Sequence, residues 1–437
     1  MRPIILLLFI FVGILFELTS CKSQNSKNLN TFEIVWKKVN ETYYDSTFGD
    51  LNWKDAHDRY IEQITSVEED EDFYGLVNKM LWELNVSHAN LIRPGNLAHS
   101  EPLVCAEGSP GFEIRLLNGM TVITAVRAGS PAKEAGLHPG YVIQTIDEIS
   151  VERIIQEAEL VLRPPYNISG RIAIVSKAIL SHIYGRPGTK VLITYLDERG
   201  EIREKKIMRT KRTGKSLGPN GILFLAVEFE ASLLDNGIGY IRLNTFQPPL
   251  TTQISNAIKS MGKVKGIIFD LRGNSGGEIE GIPDLFLNER ALLYLSRSRN
   301  GETKMFFDPA DDVFNGPLVV LIDQLSGSAC ELFAGSLQSL GRAVVVGERS
   351  PGVVMESDMM ILPKGAIFMY PVAQIATPDG TVLEGHGVIP DIKVELDREM
   401  LLMGIDSQVE SGIRYLEKER SENRLRNYRS DMKFIPQ

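Results

Sequence analysis

The apolar periodicity of this chain changes twice, and stretches with different periods cannot share one layer of secondary structure. From about Thr31 to Arg93 the spacing is helical: Phe32, Ile34, Val35, Trp36 and Val39 open one helix. Asn52-Trp53-Lys54-Asp55 begins a second, and Tyr74 to Leu84 gives a third. From about Ser109 to Lys211 the pattern becomes short strands and turns, with Met120 to Val126 and Thr189 to Leu196 as strands. From about Gly221 to Glu395 buried strands alternate with helices, the pattern of an α/β layer. There Gly237 to Leu243, Gly266 to Leu271, Pro317 to Ile322 and Ala343 to Val346 read as strands, and Ser328 to Ser339 as a helix. The 437 residues exceed one ordinary core. The expected architecture is a multidomain α+β chain: a helical N-terminal domain over 31–103, a strand-rich domain over 109–211 and an α/β domain over 221–396. A charged, solvated helical tail is expected over 397–437.

The balance of 43% apolar and 24% charged residues is that of a folded protein. A net charge of -9 argues against nucleic acid or an anionic lipid surface as a partner. Three cysteines form no disulfide framework, and the six histidines show no metal-ligand spacing. Neither a metal nor a cofactor is expected. The oligomeric state is not legible.

Met1-Arg2 supplies a positive start, and Pro3 to Phe16 is almost wholly apolar. That stretch is too short and wrongly flanked for a stable span, and it reads as a secretory signal over 1–20. Leu18-Thr19-Ser20-Cys21 resembles the bacterial lipobox, which implies cleavage before Cys21 and a lipid anchor on it. An ordinary signal peptide with a chance cysteine, or a single-span anchor, is the competing reading. The polar run over 21–30 would be a tether, so membrane attachment is expected through the lipid alone.

Two segments carry candidate chemistry. In Asp270-Leu271-Arg272-Gly273-Asn274-Ser275-Gly276-Gly277 a glycine-rich turn follows a buried strand and brings backbone N–H groups close to a ligand. It lacks the Gly-Lys-Ser ending of a phosphate loop. In Leu325-Ser326-Gly327-Ser328-Ala329-Cys330-Glu331, Ser328 stands at a strand-to-helix junction, where the helix N-terminus favours developing negative charge. From that segment alone an ordinary helix cap explains it equally well.

Together these segments resemble the tail-specific, C-terminal processing and tricorn-like serine peptidase family. The resemblance implies an α/β catalytic domain of the crotonase/ClpP-like type and makes Ser328 the nucleophile. The amides of Ala329 and of Gly276 or Gly277 would form the oxyanion hole. The run from Ser130 to Val151 resembles the signature of a PDZ domain, so the 109–211 domain is expected to be a PDZ sandwich or barrel. Its loop Gly111-Phe112-Glu113 would hold a peptide carboxylate. Residues Val151 to Ser169, including Arg163-Pro164-Pro165, depart from a minimal PDZ and leave open whether the groove is free.

One position departs from the processing branch. Where that branch carries the lysine of its Ser-Lys pair, this chain has Val353, which takes no proton. The tricorn-like branch uses a histidine preceded by a serine, and a carboxylate before a Gly-Val-x-Pro-Asp motif. Ser87-His88 and Glu384 match those contexts. The resemblance thus implies His88 as general base, Glu384 orienting it and Ser87 assisting. His386, two residues after Glu384, is the rival base, and a site without a base is the third reading. His57, His99, His138 and His182 are expected to pack or face solvent, and Asp270 with Arg272 to fix the glycine turn.

The expected function is therefore an exported serine peptidase acting on a peptide or protein. A catalytically silent peptide-binding lipoprotein is the alternative, and an acyl hydrolase or hydratase on the shared scaffold the third reading. The mass of the mature N-terminus should correspond to a lipid-modified Cys21, and its processing should be globomycin-sensitive. An unmodified N-terminus at another residue would contradict the lipobox reading.

Overall fold

A computed structural model describes residues 27–432 apart from 68, 161, 163–165, 218–222 and 248–249. Cys21, the signal stretch and Arg163-Pro164-Pro165 lie outside the described residues. The chain forms two compact units. One holds the residues up to Asn96 with Arg297–Glu302 and Met355–Gln374; the other holds Leu97–Ser296, Thr303–Val354 and Ile375–Gln437.

In the first unit, helices over 27–42, Trp53–Ile64 and Asp70–Trp82 pack around Phe32, Val35, Val39, Phe73, Val77 and Met80. The first helix already includes residues 27–30, which corrects the tether boundary: Asn28 is buried and Leu29 packs against the core. The second begins where expected, because Asn52 Oδ1 accepts from Asp55 N–H at 3.1 Å and satisfies a first-turn donor. Strand Asn90–Ile92 pairs antiparallel with the start of Ile367–Ala376, which in turn pairs with Glu356–Ile361. The Asn78 amide brackets Leu91, taking its N–H at 2.7 Å and donating to its carbonyl at 3.0 Å. That clamp fixes the short segment 85–89 between helix and strand.

The second unit contains the two six-stranded sheets. Residues 112–208 form a sheet in the order Phe112–Leu117, Met120–Val126, Val142–Ile146, Lys190–Leu196, Ile202–Met208, antiparallel throughout. The departure after Val151 is two helices, Val151–Leu160 and Ile168–Ile183. The second sheet runs Phe229–Leu233, Gly239–Leu243, Ile267–Asp270, Leu318–Ile322, Val344–Gly347, Ile392–Lys393. Its first pair is antiparallel and the rest are parallel. Leu318–Ile322 is buried at every position, as a strand covered on both faces must be.

The C-terminal region is not the solvated tail its charge suggests. Leu396 and Leu401 join Leu117, Val122 and Val142 in one apolar cluster. Val409, Ile413 and Leu416 then pack with Ile268, Val319, Leu321 and Val346 on a face of the parallel sheet. The helix Ser407–Met432 spaces these apolar residues at three and four positions, and its many charges dilute the signal. Asp270 and Arg272 also anchor this region: Arg272 pairs with Asp270 at 2.6 Å and with Asp406 at 2.8 Å, and reaches Gln408 at 3.0 Å. Those three arginine contacts and the Tyr240 hydroxyl on Asp270 at 2.6 Å make a buried polar network rather than a prop for the glycine turn alone.

Leu416 is 1% exposed. Leu416→Ala should therefore cost about 2–5 kcal/mol in chemical denaturation. A change under about 0.5 kcal/mol would return the segment to the status of a tail.

Candidate active site

Parallel pairing brings the two motif-bearing turns together. Ile267–Asp270 and Leu318–Ile322 are neighbours in register, Asp270 opposite Leu321, so the segments after both strands leave from the same carboxyl edge. Hydrogen bonds then lock one turn to the other. Gly327 N–H donates to Asn274 O at 2.9 Å, and Ser326 Oγ donates to Leu271 O at 2.8 Å. The buried Asp323 carboxylate takes the N–H groups of Gly273 at 3.0 Å and Leu325 at 2.9 Å. Its other oxygen accepts from Arg115 Nε at 2.5 Å, from the strand Phe112–Leu117.

Ser328 precedes the helix Ala329–Ser339 and has φ 57° and ψ -128°. A residue with a side chain pays strain energy there, and such strain persists only where surrounding bonds over-determine the backbone. Here Ser328 N–H is held by Val353 O at 3.1 Å and by Glu331 Oε2 at 3.1 Å. As the first helical residue, Ala329 has an N–H with no acceptor within its own helix.

The glycine turn faces this serine closely. A β-carbon on Gly276 would stand 2.6 Å from Ser328 Cβ and 2.9 Å from Ala329 N, and its φ is 93°. Gly276 N–H donates to Asn274 Oδ1 at 2.8 Å. The Gly276 amide is therefore committed within its own turn, whereas Gly277 is exposed. Gly276 O meanwhile accepts from Phe246 N and Thr245 Oγ1, both at 2.8 Å, which fixes the peptide plane.

Val353 lies beside the same turn: a β-carbon on Gly327 would meet Val353 Cγ2 at 3.2 Å. The next amide, Val354 N–H, donates to Glu384 Oε2 at 2.7 Å, and Glu384 is buried. Glu331, wholly buried, accepts from Ser350 Oγ and Gly352 N–H, both at 2.6 Å, and from Val353 N–H at 2.9 Å. Burial pushes its carboxyl up to about 7, against the pull of these donors. In the sequence Glu331 appears only as the last residue of the serine-bearing segment. Its signal was an acidic residue inside the apolar run Ala329 to Ala334. Asn167 was missed too; its side chain donates to His386 O at 3.0 Å and so holds the loop that carries Glu384.

His88 belongs to the other unit. It is half-buried with φ 58°, and its Nδ1 lies 2.7 Å from Ser87 Oγ. When Nδ1–H donates to that hydroxyl, Nε2 carries the lone pair. His386 is exposed and turns Nδ1 to Glu384 O at 2.9 Å, within its own loop. His57 contacts Glu33 and Asp58 at 3.0 Å, and His99 packs on His182.

In the loop Gly111-Phe112-Glu113, Gly111 N–H donates to Ser109 Oγ at 3.0 Å. Phe112 is buried, and Glu113 accepts from Arg242 at 2.6 Å. The Gly111 amide and the Glu113 carboxylate are therefore engaged internally. Leu325, from the turn before Ser328, is buried in the same apolar cluster as Phe112, Ile114, Val175 and Ile179. Cys105 and Cys330 are buried and unpaired by disulfide, no acidic, histidine or cysteine cluster among the described residues suits a metal, and no described helix is long and apolar enough to cross a membrane.

Residues 237–394 match Peptidase family S41, and residues 26–82 match the tricorn protease C1 domain. A carboxyl-terminal-processing protease of Synechocystis sp. is 29% identical over 369 residues, covering 82% of this chain and 79% of that one. Among solved structures, the photosystem II D1 C-terminal processing protease superposes with a TM-score of 0.55 at 23% identity, over 86% of this chain and 97% of that one. Mature CPAF superposes with a TM-score of 0.59 at 12% identity, over 91% and 96%. At these identities the structural likeness establishes the mixed α/β multidomain fold.

Gly276→Ala should lower activity about a hundredfold, the scale of displacing a reacting group by about 1 Å, because the added β-carbon would press on Ser328 Cβ. Turnover with the folded state checked by circular dichroism measures it; wild-type turnover would show that the close approach to Ser328 is incidental.

Proposed function

We propose that the chain is a member of peptidase family S41, whose family model its residues 237–394 match, and that it is an exported serine endopeptidase with Ser328 as nucleophile and His88 as general base. The observation that carries this reading is the pairing of Ser328, held at positive φ against Gly276, with an aliphatic residue at the lysine position. A serine hydroxyl needs an adjacent base. Val353 supplies none, so the base is the imidazole whose Nδ1 is already occupied by Ser87.

In this mechanism His88 Nε2 removes the Ser328 proton as Oγ attacks the scissile carbonyl. The negative charge on the carbonyl oxygen is met by the Ala329 and Gly277 N–H groups at the positive end of the helix. The imidazolium passes its proton to the leaving amine, leaving the substrate's acyl group on Ser328. Water then attacks, giving its proton to His88, and the acid product departs as Ser328 regains its hydrogen. Glu384 stabilises the imidazolium, with Ser87 in the same hydrogen-bonded chain. The substrate is a peptide or protein, and no cofactor is required.

The 109–211 region acts as a PDZ-type module in this reading. The internal engagement of Gly111, Glu113 and Leu325 favours a role in supporting the active-site turns over open capture of a peptide terminus. The lipobox-like Cys21 places the enzyme at the bacterial cell envelope, anchored by lipid.

With fluorescein-labelled casein as the probe, Ser328→Ala should abolish hydrolysis, and His88→Ala should lower kcat by about 10⁴-fold. His386→Ala should change it less than threefold, about 0.6 kcal/mol. Loss of activity in His386→Ala with His88→Ala active would reverse the base assignment. Wild-type inactivity toward both casein and a fluorophosphonate would favour the silent binding protein.

A further inference from the structure

We propose that Glu331 is a positioning residue of the reaction: its buried carboxylate holds Ser328 and the backbone that carries Glu384's contact in one rigid arrangement. The inference rests on the assignment of Ser328 as nucleophile.

Four donors converge on this carboxylate. Oε1 accepts from Ser350 Oγ and Gly352 N–H at 2.6 Å, and Oε2 from Val353 N–H at 2.9 Å and Ser328 N–H at 3.1 Å. None of these donors is a cation. A fully buried carboxylate with no counter-ion among the described residues is an expensive way to satisfy four polar groups, and an apolar side chain would pack as well if no geometry were at stake. What the carboxylate provides is direction. Ser328 N–H points into it while the residue sits at φ 57°, a conformation a serine does not choose unaided.

The same carboxylate grips the other side of the site. Ser350, Gly352 and Val353 are consecutive or nearly so, and the following amide, Val354 N–H, is the donor to Glu384 Oε2 at 2.7 Å. Ser350 Oγ also accepts from Val388 N–H at 2.6 Å, closing the loop beyond Glu384. Glu331 therefore joins the nucleophile's turn to the strut that meets Glu384. This segment is where the processing branch carries its lysine. Here its side chain at 353 is inert, and its backbone does the positioning instead.

An amide cannot replace this group. Glutamine offers one acceptor oxygen and presents its NH₂ to two N–H or O–H donors, leaving them unsatisfied. Protonation has a milder form of the same effect, since the O–H no longer accepts. Glu384 raises the Glu331 carboxyl further by like charge, and the Cys330 thiol is the other titratable group that feels it. Because the folded-state value, about 7, lies above the ordinary carboxyl value, the native state binds this proton more tightly than the unfolded chain. Stability at this group is therefore gained as pH falls through 7 and lost as pH rises through it. Activity moves the other way.

The test measures fluorophosphonate acylation of the full chain between pH 5.5 and 9, separating the maximal rate from the half-saturating concentration, with Tm recorded in parallel. Glu331→Gln should lower the maximal rate about a hundredfold, the cost of displacing a reacting group by about 1 Å, with half-saturation changed less than twofold. The wild-type acid limb should steepen toward two protons, and Glu331→Gln should show one. Glu331→Asp, which keeps the charge on a shorter arm, should recover part of the rate. Wild-type rates and an unchanged limb in Glu331→Gln would overturn the proposal while leaving Ser328 as nucleophile. A rate loss that merely tracks a lower Tm would overturn it as well. Labelling that persists in Ser328→Ala would instead remove the premise.

Discussion

The parallel register between Ile267–Asp270 and Leu318–Ile322 is the constraint on which the rest of the site depends. Because adjacent parallel strands release their following segments at one edge, two motifs about fifty residues apart in sequence become neighbours without any long-range search by loops. Everything else secures that juxtaposition. Asp323 ties the base of one turn to the other, Asn274 bridges them, and Gly276 allows an approach no side chain would permit. The driving force is apolar burial of both strands; the specificity comes from a few hydrogen bonds in a dry setting.

A second theme is how much of this geometry is held by regions that carry no candidate chemistry. Arg115 reaches Asp323 from the strand-rich region, and Asn167 holds the loop after Glu384 from the start of a helix there. The C-terminal helix contributes Asp406 and Gln408 to the network around Arg272. These contacts explain why the strand-rich region and the parallel sheet form one compact unit rather than two. A module that is only tethered would leave Arg115 and Glu113 in water. Here Arg242 and Arg115 overcome the cost of burying Glu113 and hold its carboxyl well below the usual range.

The strands and the serine-bearing helix were legible in the sequence because their signals are local. Leu318–Ile322 is an uninterrupted apolar run, and Ser328 stands at a strand-to-helix junction with a glycine before it. The conformation at Ser328 was not legible, since it is imposed by Glu331 and Val353 from outside. The C-terminal helix was misread because Val409, Ile413 and Leu416 are few among charges, and only the sheet face they cover reveals their purpose. The engagement of the Gly276 amide was not legible either, because it needs the Asn274 side chain that accepts from it. Such outcomes are decided by partners distant in sequence, and no local pattern encodes them.

The central claim is that Ser328 takes its base from His88. The most direct measurement is a crystal structure of the enzyme inhibited at Ser328 by diisopropyl fluorophosphate. His88 Nε2 should stand at about 2.6–3.2 Å from Ser328 Oγ or a phosphoryl oxygen. An inhibited structure with His88 well beyond that reach, or with His386 in its place, would contradict it.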